Sequence, residues 1–178
     1  ENCIIQGGIG FSGGISNASI TQCILLNMTT NNNANPGITF TNNIFTRSGS
    51  SYSLNSSSTY AHNLFAISGG NTLNWTNANN GGNNVAVQAT LTNVFVNLGS
   101  FSEFNQYNDY HLTPTSPARN MGQNGYDVGM YDGPPGSSWK EDMIPFNPHW
   151  VELLPSGTLG NSTGGTINVN FTGAAQEN

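Results

Sequence analysis

The chain has 178 residues, of which only 7% are charged, and a formal net charge of −6 with three basic side chains, Arg47, Arg119 and Lys140. That balance leaves no electrostatic footprint for nucleic acid or an anionic membrane surface. No run approaches the ~20 apolar residues of a membrane helix, so membrane insertion is not expected. A surface so poor in charge must be covered by Asn, Ser, Thr and Gly, while 35% hydrophobic residues, regularly placed, predict a packed fold rather than disorder. Glu1 opens directly into the first apolar unit without a secretory leader, so the chain reads as a mature or excised piece.

Cys3-Ile4-Ile5, Cys23-Ile24-Leu25, Asn43-Ile44-Phe45 and Asn63-Leu64-Phe65 recur at twenty-residue intervals, with Ile20, Phe40 and Tyr60 upstream of the later three. A fifth copy is expected at Asn93-Val94-Phe95, thirty residues on, which makes about 68–88 a looped-out insertion. A fixed period near twenty with Gly/Asn/Ser turns marks a solenoid. Leucine-rich repeats share the period but need a dense Leu pattern that is missing. β-Branched and aromatic units without helical periodicity predict an all-β parallel β-helix of about five coils. Coils stacked about 4.8 Å apart make a rod segment of roughly 24 Å.

Asn43, Asn63 and Asn93 are expected to stack at one corner, each amide bonding to the next, because Asn also tolerates a left-handed corner backbone. Cys3 and Cys23 occupy the first two rungs of this ladder. Beside it run the columns Ile4/Ile24/Ile44/Leu64/Val94 and Ile5/Leu25/Phe45/Phe65/Phe95. A corner resets the period-two alternation, so the pattern leaves open which column faces inward. The cysteines have two readings, a reduced buried pair or a disulfide. Nearly parallel side-chain vectors at ~4.8 Å spacing weigh against the second.

The repeat breaks at "FNQYNDYHLTPTSPARNMGQNGYDVGMYDG", residues 104–133. Asp109, Tyr110, Leu112, Ser116, Pro117 and Ala118, followed by Asp127, Val128, Gly129 and Tyr131, carry a resemblance. The segment resembles the closing coil of bacterial secreted right-handed parallel β-helix proteins, the pectate-lyase-like β-solenoid superfamily. Arg119 stands where that family often has an aliphatic residue. The resemblance implies a right-handed β-helix and a secreted or cell-surface place. A Pro-rich, partly polar last turn would cover the open end of the stack. No matching start precedes Cys3, so the chain reads as the C-terminal end of a longer β-helix, partnered by upstream and downstream parts of its own chain.

The expected organisation is coils with a closing segment over 1–133, then a Pro/Gly-rich linker over 134–165 pinned to the rod by Trp139, Phe146 and Trp150. A strand over 166–178, with Ile167, Val169 and Phe171 alternating, opens a further small β domain or docks elsewhere.

Enzymatic β-helices are mostly polysaccharide lyases and hydrolases. Those chemistries need paired carboxyl groups, or a base with acidic residues for calcium or substrate. Between residues 2 and 97 the one charged residue is Arg47, so the repeat body holds no acid/base pair and no catalytic residue is assigned. His62 lies in the neutral polar column Gln22/Asn42/His62/Thr92 and reads as a solvated surface histidine, with ligand binding as its competing role. Trp75, in "NTLNWTNANNGG", is placed to stack on a sugar ring, with packing of the insertion as the alternative. Asp109, Asp127 and Asp132 form a candidate calcium trio, set against carboxylates that cap turn amides. No other cofactor is expected. His111 and His149 read as packing or hydrogen-bonding residues, and no Cys/His spacing resembles a zinc site.

These features point to a non-catalytic stalk or adhesin-like segment of a larger protein, with a polysaccharide or another surface protein as partner. The alternative is the C-terminal end of a polysaccharide lyase or glycoside hydrolase whose catalytic coils lie upstream. Ice binding by a threonine face is disfavoured, because its columns break at Ala61, Ala89 and Leu91.

Overall fold

β-Branched and aromatic residues in short runs, each broken by Asn, Gly or Ser, favour strands joined by tight turns. In the structure, a computed structural model, such runs stack as parallel sheets. It describes residues 1–7, 17–27, 37–48, 52–54, 57–70, 73–74, 79–131, 133, 149–156 and 168–174. The chain divides into two compact units, Glu1–Trp139 and Lys140–Asn178. The fold is all-β, with one four-residue helix, Leu91–Val94, and a 3-10 turn at Gln123–Gly125 among the described residues.

Ile4–Gln6, Ile24–Leu26, Ile44–Arg47, Leu64–Ile67 and Val85–Gln88 form a five-stranded sheet in that order, every neighbouring pair parallel. Ser19–Thr21, Thr39–Thr41, Thr59–Ala61 and Asn79–Asn80 form a four-stranded parallel sheet. From Ser19 to Gln88 each repeat thus gives one strand to each sheet, and Ile24, Ile44 and Leu64 stand in register as the spacing predicts.

The fifth repeat departs from expectation. Val85 pairs with Leu64 and Ala86 with Phe65, so the stretch read as an insertion supplies strands to both sheets. Val94 and Phe95 are not the next members of the columns. Phe95–Asn97 pairs antiparallel with Asp109–Leu112, Phe95 opposite Leu112. The physical reason is position: Val85 lies on the outermost strand and stays 41% exposed, so no large core residue is needed there. The bulkier Val94 and Phe95 are fully buried elsewhere.

In the three middle strands of the five-stranded sheet both columns are buried, on opposite faces, as befits a parallel sheet covered on two sides. Leu25, Phe45 and Phe65 pack against Phe40 and Tyr60 of the four-stranded sheet. Phe45 stacks on Phe65 with ring centroids 4.7 Å apart, and Phe40 on Tyr60 at 5.0 Å. Ile24, Ile44 and Leu64 face the other way and pack against the non-repeating segment that follows, through Val94, Phe95, Leu112, Ala118, Val128 and Met130.

That segment is therefore a flank rather than an end cap. Gly129 N donates to Asn42 O at 3.0 Å, and Gln123 N to Asn42 Oδ1 at 2.9 Å. Contacts to three successive repeats, Gln22, Asn42 and His62, spread it along the stack. A cap over the last unit would leave the outer column Ile24/Ile44/Leu64 in water, at about 1.5–3 kcal/mol per large side chain. The close fit explains Gly129: its φ is +100, and a Cβ there would lie 2.8 Å from Ile44 Cδ1.

In the second unit, His149–Ser156 and Asn168–Ala174 pair antiparallel. The sequence stretch read as linker thus supplies the partner that the terminal strand requires. Trp139 and Phe146 lie outside the described residues.

Candidate functional site

The asparagine column is the best-defined polar feature. Asn43 Oδ1 accepts from Cys23 N at 2.9 Å, and Asn63 Oδ1 from Asn43 N at 2.9 Å and Asn43 Nδ2 at 3.0 Å. Asn84 Oδ1 repeats this toward Asn63, at 2.9 and 3.0 Å. Each amide also donates to a backbone carbonyl: Asn43 to Ile20, Asn63 to Phe40, Asn84 to Tyr60. Asn43 and Asn63 are wholly buried, and burial without these partners would cost about 1–3 kcal/mol per polar group.

Asn93 is not a rung. It sits in the short helix, where its Oδ1 accepts from Thr90 N at 2.9 Å. The fifth rung is Asn84, twenty-one residues after Asn63. The left-handed backbone also lies one residue earlier than expected, at Asn2, Gln22, Asn42, His62 and Asn83, with φ between 53 and 58. The ladder asparagines follow that corner; they do not make it.

His62 belongs to this corner column and is half-buried, not a solvated surface histidine. Its Nδ1 lies 3.3 Å from Met121 O and its Nε2 3.2 Å from Asn83 Nδ2. A carbonyl faces one ring nitrogen and an amide N–H donor the other, a pairing met by the tautomer with its proton on Nδ1. The ring therefore links a repeat to the flanking segment.

Both cysteines are free, but only Cys23 is buried, while Cys3, just before the edge strand Ile4–Gln6, is exposed. The buried-pair reading thus holds for one member. Burial pushes the Cys23 thiol up, despite hydrogen bonding that acts to lower it. It stays protonated and donates to Thr21 O at 3.1 Å.

The carboxylates bind backbone and cations of their own segment. Asp127 accepts from Arg119 Nη1 at 2.9 Å and from Asn120 N at 2.7 Å. The same guanidinium donates to Thr113 O and Leu112 O, so Arg119 holds three chain positions together. Asp109 lies 2.7 Å from His111 Nδ1 and accepts from His111 N at 3.0 Å. Burial acts to raise the Asp109 pKa, but these bonds and the imidazole charge together hold it below the usual carboxylate value. Among the described residues no three His, Cys, Asp or Glu side chains cluster as a metal would require. Asp132 and Trp75 lie outside the described residues.

A second feature arises where the flank leaves the repeats. Residues 99, 100 and 103–108 line an open cleft of about 520 Å³. Tyr107 is 81% exposed at its rim, and Phe104 is half exposed while stacking on Tyr110 at 5.9 Å, 7° from coplanar. Two distant bonds fix the walls, Thr46 Oγ1 to Phe101 O at 2.6 Å and Phe104 N to Gln6 Oε1 at 2.9 Å, with a local one from Asn105 N to Tyr110 Oη at 3.1 Å. Glu103 is the one carboxylate in the lining, which holds no basic side chain. The sequence reading passed over it. The signal available was "FSEFNQYND", rings interleaved with amides just where the repeat stops.

No protein-family model, curated protein or solved structure matches this chain.

Proposed function

We propose that the chain is a right-handed parallel β-helix segment of a larger secreted or cell-surface bacterial protein, where it serves as a rigid, non-catalytic stalk with an adhesive role. The observation that carries this reading is the buried Asn43–Asn63–Asn84 ladder, which ties successive repeats along one axis. Support also comes from the five-stranded sheet, whose two faces are both covered, a construction suited to stiffness over a solvated display surface. The repeat body offers side chains that bond one another rather than a poised acid and base.

Two measurements test it. Antibody labelling of intact source cells, before and after protease shaving, should find the segment outside the cell, and retention in the cytoplasm overturns the proposal. Incubation of the purified chain with plant and microbial polysaccharides should release no new reducing ends or unsaturated sugars. Release abolished by a point mutation in this chain would make it an enzyme.

A further inference from the structure

We infer that the cleft over residues 99–108 is a binding site for a neutral oligosaccharide. The inference does not rest on the stalk reading, since the cleft belongs to the flank and not to the ladder. Its starting point is a contrast in the treatment of aromatic rings. Phe40, Phe45, Tyr60, Phe65 and Phe95 are each at most 1% exposed, whereas Tyr107 is 81% exposed. Phe104, half exposed, lines the same cleft, so two rings left to solvent share one site, and it is such a grouping rather than a single exposed ring that marks a surface for binding.

The lining supplies what a sugar needs. The apolar C–H face of a pyranose stacks on an aromatic ring, and Tyr107 and Phe104 offer two. Its hydroxyls both donate and accept, and the cleft presents both functions. Asn105 commits its Oδ1 to Tyr107 N, which leaves Nδ2 as a donor. Asn108 directs its Nδ2 to Tyr110 Oη at 3.4 Å, which leaves Oδ1 as an acceptor. Gln106 supplies a further amide and Glu103 a strong acceptor. With one carboxylate and no basic group, the lining opposes an anionic polysaccharide. The volume of about 520 Å³ suits a few sugar rings. The bonds from Gln6, Thr46 and Tyr110 hold the loop before any ligand arrives, which lowers the ordering cost of binding. A proline-rich peptide would also seek exposed rings, but five of the lining side chains are polar, a poorer match to an apolar peptide ridge.

The test uses the purified full chain and isothermal titration with cellohexaose, mannohexaose and maltohexaose. An oligogalacturonate and a proline-rich decapeptide serve as the competing probes. At least one neutral probe should bind, and Tyr107→Ala should weaken that binding roughly tenfold without shifting the urea midpoint. Gly99→Phe, at an exposed position without positive φ where a side chain would meet Asn108, should block the cleft with every native ring in place. Binding that is insensitive to Tyr107→Ala overturns the inference. So does failure of all three neutral probes, or tighter binding of the oligogalacturonate or the peptide.

Discussion

The two faces of the five-stranded sheet are buried by opposite strategies. On one face each repeat supplies the same kind of group at the same place, so Phe45 lies on Phe65 and Phe40 on Tyr60 like successive copies. On the other face Ile24, Ile44 and Leu64 repeat, but their cover is a single non-repeating stretch, with Ala118, Val128 and Met130 each used once. A periodic face tolerates variation between units, because each layer needs only its neighbours. An aperiodic cover must match one specific surface, and it shows that demand in a glycine pressed onto Ile44 and an arginine tied at three points.

Substitutions can separate the two strategies. The largest effect is expected from Phe45→Ala, which should destabilise the chain by about 3–5 kcal/mol through a cavity in the middle of the stacked column. A urea midpoint shift smaller than that of Val85→Ala, at the sheet's exposed edge, would break the picture of a shared periodic core. Asn63→Leu should follow, at about 3 kcal/mol, since it strands Asn43 N and Nδ2 above and the Phe40 and Ala61 carbonyls beside it. Asn93→Leu should cost much less, about 1 kcal/mol, as the loss of a helix-start bond. Equal costs for the two would show that the ladder has been assigned to the wrong asparagine.

On the aperiodic face, Gly129→Ala should cost about 2 kcal/mol from positive φ and overpacking. Combining it with Ile44→Val should recover part of that loss by removing the Cδ1 atom it strikes. Strict additivity of the two, read from denaturant midpoints, would contradict the close fit.

The smallest effect concerns pH. The Asp109 pKa is held down in the folded chain, so its contribution is present above the usual value near 3.8 and is lost as the pH falls through the lower folded value. The acid-side loss of stability should therefore be slightly shallower in Asp109→Asn. An identical acid profile would mean that the exposed pair with His111 contributes nothing.

How much of this could be read beforehand follows from what each feature depends on. The first four repeats were legible because Ile24, Ile44 and Leu64 must recur at the spacing of the strands they occupy. The fifth was hidden because Asn84 comes one residue late and introduces Val85 and Ala86, small for an edge that needs little filling. Asn93-Val94-Phe95 imitates the motif in its chemistry, yet Phe95 finds a better partner in Leu112. The left-handed corner was displaced in the reading because Gln22, Asn42, His62 and Asn83 share a backbone requirement rather than a side-chain type. His62 looked solvated because nothing nearby in sequence announces Met121 as its partner. The cleft left only a faint trace in the residue types, the rings and amides interleaved in "FSEFNQYND". Tyr107 acquires meaning only once its ring is seen to face water.

The flank also sets an order of events. Ladder bonds join residues twenty or twenty-one apart, whereas Asp127 and Gln123 reach back 105 and 81 residues to Gln22 and Asn42. Closing such long loops is slow compared with stacking neighbouring repeats. A chain that emerges N-terminus first can assemble its ladder piece by piece, but the outer faces of Ile24 and Ile44 stay bare until Gly129 has been made. Repeats made well before the flank wait for it to be sealed.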